Sequence, residues 1–173
     1  MLRIAIVGPE SSGKTTIAAA LAEHFGTRFV EEFARDHLTQ RGGIYREGDL
    51  LEIALSQDAL SRKVEERIDS KVIFHDTDMI TIKIWSEEKY ARVHEQIEML
   101  VRDVHYDHWF LCRPDIPWEP DPLRENPHDR DRLFKVYEHT LRSMQKPFTV
   151  LEGSHDNRLR TAIDTVETIL REC

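Results

Sequence analysis

LRIAIVGPESSGKTTIAAALAEHF, residues 2–25, joins a short apolar run to an alanine-rich amphipathic one through a glycine-bounded polar turn. Leu2–Val7 is apolar at all but Arg3 and β-branched at Ile4, Ile6 and Val7, which predicts a strand buried on both faces. From Lys14, apolar residues recur at helical spacing (Ile17, Leu21, Ala22, Phe25), which predicts a helix. The turn between them, Gly8 to Thr15, fits G-x-x-x-x-G-K-[ST] at every position and has the correct flanks. The residue types follow from the charge of a triphosphate. Glycines let the backbone curl so that successive N–H groups converge on an anion. The dipole and free N–H groups of the next helix add to the same field. Lys14 reaches the β- and γ-phosphates, and the Thr15 hydroxyl suits Mg²⁺, which takes hard oxygen ligands.

Outward from this turn, strands and helices alternate. Strands are predicted over 28–30, 71–75, 108–112 and 147–151. Helices are predicted over 34–40, 50–68, 78–85, 93–104, 130–144 and 157–171, with Arg41–Asp49 a loop. In the long helix, Leu51, Ala54, Leu55, Val64 and Ile68 are expected to face the core. The alternation implies right-handed crossovers and an α/β fold: a five-stranded parallel sheet flanked by helices, of the P-loop NTPase kind. The chain is read as one domain over 1–173, a size that buries a single good core.

Composition narrows the partners. Charged residues make up 32% and hydrophobic ones 40%, and the net charge is 24 − 32 = −8. An acidic surface argues against a nucleic-acid binder, because phosphate backbones are gripped by clustered Lys and Arg. The apolar runs are too short to span a bilayer, and Met1 leads straight into the first strand. Cys112 and Cys173 form no disulfide framework or metal spacing. No membrane partner and a cytoplasmic location are expected.

A phosphate cradle does not say what happens to the phosphate. VIFHDTD places Asp76 at the carboxyl end of a strand, where ligands sit in open parallel sheets. Asp76 is therefore the second candidate for the Mg²⁺ side. Asp78 either orients an acceptor hydroxyl or N-caps the following helix. In VEEFARDH, Glu32 is a candidate to accept a hydroxyl proton, Phe33 to stack on a base, and Arg35 to hold Glu32, the acceptor or a phosphate.

Residues 113–132 hold five of the seven prolines, Trp118 and four arginines, which reads as a long irregular loop, a lid. An arginine delivered to a transferring phosphoryl group is worth about 10³–10⁵ in rate. Arg124, Arg130 and Arg132 are the candidates.

GPESSGKTT, EFARDH, DTD, DIPWEPDPLR and DRDR occur in the order and spacing of the NadR-type ribosylnicotinamide kinase domains and their stand-alone AAA-type P-loop relatives. The resemblance runs from about Ile4 to Arg158. It implies a kinase that transfers the ATP γ-phosphate to the 5′-hydroxyl of nicotinamide riboside. By that resemblance Gly8, Glu10, Ser11, Ser12, Gly13, Lys14, Thr15 and Thr16 would hold ATP and Mg²⁺. Glu32, Phe33 and Arg35 would face the riboside, and Asp76 and Asp78 would serve metal and ribose. Trp118, Asp121 and Arg124 would belong to the lid, with Arg130 and Arg132 at its hinge. EGSHDNR would sit near the adenine. A cationic pyridinium favours carboxylates and aromatic faces, which Glu32, Asp121, Phe33 and Trp118 supply.

The chain departs from the family pattern at Phe33, often tyrosine, and at Pro122, often glycine, and either change bears on substrate preference. No H-x-G-H motif occurs, so neither dinucleotide synthesis nor a DNA-binding repressor is expected. Two other readings stay open: a kinase for another nucleoside or nucleotide, and a nucleotide-binding regulatory module without turnover. The choice between ATP and GTP and the oligomeric state stay open as well.

Overall fold

The structure is a computed structural model and describes residues 1–172; Cys173, one of the two cysteines expected to form no disulfide, lies outside the described residues. Its elements in chain order are β1 (Leu2–Val7), α1 (Lys14–His24), β2 (Phe29–Val30), α2 (Phe33–Gln40), α3 (Glu47–Glu65) and β3 (Val72–Asp76). Then follow α4 (Met79–Tyr90), α5 (Glu95–Asp103), β4 (His108–Cys112), α6 (Arg130–Ser143), β5 (Phe148–Leu151) and α7 (His155–Glu172). The five strands form one parallel sheet in the order β2-β3-β1-β4-β5. β1 is central, paired with β3 (Ile6 beside Asp76) and with β4 (Val7 beside Leu111).

Strand alternation assigns the two cores. Ile4, Ile6, Phe74, Phe110 and Cys112 turn to one face, under α1 and α7. Ala5, Val7, Trp109 and Leu111 turn to the other, under α3, α4, α5 and α6. β1, β3 and β4 are therefore covered on both sides, as a parallel sheet requires. Among the described residues no helix is long and apolar enough to cross a membrane.

Two expectations change. α3 starts at Glu47, inside the segment read as loop, because the Asp49 carboxylate accepts from the Arg46 N–H at 2.7 Å and closes the first turn. Its buried stripe is Leu50, Ile53, Ala54, Gln57 and Ser61, so of the five residues assigned to the core Ala54 is buried and Leu51 is half-buried against it, while Leu55 is 45% exposed. The helix carries two apolar stripes at helical spacing, and burying Gln57 selects one. The Gln57 amide donates to the Glu31 carbonyl at 3.1 Å and accepts from the Phe33 N–H at 2.7 Å. It thereby satisfies the β2–α2 turn and holds the peptide groups on both sides of Glu32. Between β4 and α6 the chain is irregular from Arg113 to Asp129.

Candidate active site

The turn after β1 has the backbone that its sequence implied. Gly8 has φ 141°, and a Cβ there would lie 2.6 Å from the Cys112 carbonyl oxygen, so only glycine fits. Gly13, at φ 84°, opens α1. The Lys14 ammonium folds back over the turn and donates to the carbonyls of Gly8 (3.0 Å) and Pro9 (2.9 Å). Thr15 Oγ1 donates to Asp76 Oδ2 at 2.5 Å. The other Asp76 oxygen is buried with no hydrogen-bond partner. Burial raises the Asp76 pKa, against the pull of Lys14 and the Thr15 hydroxyl. A hydroxyl beside a buried carboxylate oxygen that lacks a partner is a donor set that fits Mg²⁺.

Beyond the turn lies a cavity of about 290 Å³. It is lined by the turn itself and by Glu32, Arg35 and Leu38 from the β2–α2 region. α4 adds Thr81, Ile84, Trp85 and Glu88; α6 adds Leu133 and Tyr137; and the irregular segment adds Ile116, Glu119 and Leu123–Asn126. Glu32 precedes the first residue of α2, yet its carboxylate makes no cap, so it is left to face the cavity. Burial raises its pKa, with the Lys14 ammonium opposing. The other carboxylates at the cavity are Glu10, Glu88, Glu119 and Glu125, against the cations Lys14, Arg35 and Arg124.

The irregular segment closes over the turn. The Ser11 hydroxyl accepts from the Glu119 N–H at 3.0 Å and from Arg124 Nη1 at 3.4 Å. Arg130 Nη1 donates to the Ser11 carbonyl at 3.0 Å. The guanidinium groups of Arg124 and Arg130 lie 5.9 and 5.6 Å from the Trp118 ring centre. Arg35 pairs with Asp121 at 2.5 Å and so links α2 to the same segment.

Lys14, Thr15, Glu32, Arg35, Asp76, Arg124 and Arg130 thus come together, while other candidates sit elsewhere. Asp78 is 1% exposed and its oxygens are engaged: one accepts from the Thr81 N–H at 3.1 Å, the other from the Trp109 indole at 2.8 Å. It is a helix cap rather than a group free for an acceptor. Phe33 packs on the core and against the His37 ring, 5.6 Å between centres, and does not line the cavity. Asp121 holds Arg35 and the Leu123 N–H, and Trp118 serves as a platform for two arginines. Arg132 is paired with Glu88 (2.5 Å) and Asp129 (2.6 Å) and makes no contact with the turn. Two residues along a helix is about 200° of rotation, so with Arg130 facing the turn Arg132 points away.

Several residues escaped the sequence reading. Tyr45 and Trp85 form an edge-to-face pair, 4.9 Å between centres, at the cavity wall. Their polar tips meet, the indole N–H donating to the Tyr45 oxygen at 2.9 Å. Helical spacing from Asp78 through Thr81, Trp85 and Glu88 was the available signal for α4. Arg158, 2% exposed, ends the EGSHDNR segment expected near the adenine, but its own role had no such signal. It donates to the carbonyls of Ser12 (2.7 Å), Arg113 (2.8 Å) and Gly153 (3.0 Å) and pairs with Asp115. It joins the turn, the root of the irregular segment and the β5–α7 connection.

Comparison with known proteins bears on these features. The family model described as "AAA domain" matches residues 3–158. The chain is 29% identical to the trifunctional NAD biosynthesis/regulator protein NadR of Salmonella typhimurium (strain LT2) over 98% of this chain and 43% of that protein. It therefore spans less than half the length of that relative. Among solved structures, NadR protein in complex with NAD and AMP-PNP aligns with TM-score 0.81 and 22% identity, over 96% of this chain and 49% of that one. NadR protein in complex with NR aligns with TM-score 0.77 and 21% identity, over 96% and 51%.

Proposed function

The chain belongs to the AAA domain family, and from that premise we propose that it is an ATP-dependent kinase phosphorylating the 5′-hydroxyl of nicotinamide riboside. We read the chain as a single catalytic unit with a lid over about 113–132. The observation that carries the acceptor class is the cavity beyond the phosphate turn, lined both by the Tyr45–Trp85 pair and by the Glu32 carboxylate, which makes no helix cap. Aromatic faces with nearby carboxylates select a cationic ring over a neutral one. The resemblance to NadR, solved in complex with NR and with NAD and AMP-PNP, supports the same substrates.

In this reading Lys14 and the turn's N–H groups hold the β- and γ-phosphates. Glu32 takes the proton of the acceptor hydroxyl, helped by a pKa that burial has raised towards the working pH. The hydroxyl oxygen bonds to the γ-phosphorus as the bond from that phosphorus to the β-phosphate oxygen breaks, leaving ADP. Arg124 stabilises the charge on the transferring group, and the lid keeps water from competing as acceptor. Thr15 and Asp76 would hold Mg²⁺, which neutralises phosphate charge when bound. The test is release of ADP with nicotinamide riboside, other nucleosides and nucleoside monophosphates as acceptors. Nicotinamide mononucleotide should be the favoured product. ATP hydrolysis indifferent to acceptor, or preference for a nucleoside monophosphate, would overturn the assignment.

A further inference from the structure

We infer that Glu10 is a positioning residue: its carboxylate clasps the lid and thereby sets Arg124 over the phosphate turn. Its effect on turnover rests on the kinase reading above; the clasp itself rests on geometry. A carboxylate is an odd member of a phosphate cradle, since it has no donor and shares the phosphate's sign. Here it serves the lid instead. Glu10 accepts from the Glu125 N–H at 3.0 Å and from the Asn126 N–H at 2.9 Å. Two successive amides converging on one anion make a nest, and such charge-assisted bonds are stronger than neutral ones.

Those two amides directly follow Arg124. On its other side the Glu119 N–H is held by the Ser11 hydroxyl, and Arg124 itself donates to the Glu119 carbonyl. Arg124 is thus bracketed by two anchors, both on adjacent residues of the turn. Glu125 is also pinned through its side chain by Lys89 (2.9 Å) and Tyr45 (2.9 Å). A displacement of the turn is therefore passed to the arginine through a short, rigid path.

The test uses E10A, E10Q and R124A in the full chain. Amide exchange at Glu125 and Asn126 should quicken about tenfold or more in E10A, with amides of β1 and β4 unchanged. E10Q, whose side-chain oxygen still accepts, should restore most of the protection. In turnover, E10A should lower kcat with little change in the KM for ATP. E10A/R124A should be no slower than R124A alone by more than about threefold, because the two act as one unit. Unchanged exchange at residues 125 and 126, or losses that multiply in the double variant, would overturn the clasp. E10S reads the same quantities if the alanine variant does not fold. Exchange needs no acceptor: a chain that phosphorylates nothing counts against the kinase reading, while its exchange rates still decide the clasp.

Discussion

Thr15 Oγ1 and Asp76 Oδ2 lie 2.5 Å apart, tying the start of α1 to the carboxyl end of the neighbouring strand β3. The second Asp76 oxygen is buried and without a partner. Burial raises the Asp76 pKa, so the folded chain holds that proton more tightly than the unfolded one. The group therefore favours folding in acid. That advantage is lost as pH rises from the unfolded value through the folded one, and above both the buried charge costs stability. Without metal, Asp76→Asn should melt higher than the parent near neutral pH, and the gap should close in acid. ATP with Mg²⁺ at a hundredfold excess over Kd should raise the parent Tm by about 5–10 °C. The variant should gain less than half of that. Thermal melts across pH, with and without Mg²⁺ and ATP, check both statements; equal gains would remove Asp76 from the metal side.

Gly8→Ala combines a positive φ with a Cβ 2.6 Å from the Cys112 carbonyl. The clash is with backbone of the adjacent strand, which cannot yield as a side chain would. The expected loss is about 2 kcal/mol or more, a Tm drop of roughly 4–8 °C, with loss of ATP binding. Denaturant titration and calorimetric binding measure the two effects.

Arg124 and Arg132 lie eight residues apart and should behave oppositely. Arg124→Ala should cut kcat by about 10³ or more with a small change in Tm. Arg132→Ala, on exposed pairs with Glu88 and Asp129, should leave turnover near the parent and move Tm by no more than about 4 °C. Equal losses of activity and melting temperature in the Arg124 variant would make it a structural residue.

Arg158→Ala removes a buried cation from three carbonyls and a carboxylate. The cost should be about 3 kcal/mol, the low end for breaking a buried pair, because Asp115 keeps partial access to water. Arg158→Ala/Asp115→Ala should recover part of it. A chemical-denaturation double-mutant cycle reads the coupling; additive losses would deny the pair any special role.

The fold was legible because local chemistry and global topology agree along most of the chain. β1 and β4 alternate residues between two apolar cores, and both carry the bounds that their apolar runs predicted. The edges were less legible. β2 is two residues long, and α3 begins within a stretch containing glycines, on the strength of one Asp49 side chain. Helical spacing also allowed two core faces for α3, and packing chose the one that buries Gln57.

Residues 8–16 carry their own turn chemistry, because glycine conformations, backbone amides and one lysine all act within a few residues of each other. Apart from Glu10, whose partners are the distant amides of Glu125 and Asn126, that part of the site needs no partner to be read. Nothing local distinguishes Arg124 from Arg132 or Arg158 from any exposed helical arginine, and the cap that Asp78 could offer its helix does not show that Trp109 takes the other oxygen. Their roles depend on helical phase and on which segments the sheet order 2-3-1-4-5 brings together. Folding closed the second Asp78 oxygen with the Trp109 indole, turned Arg132 to Glu88 and set Tyr45 beside Trp85, because each of these partners lies far away in the chain.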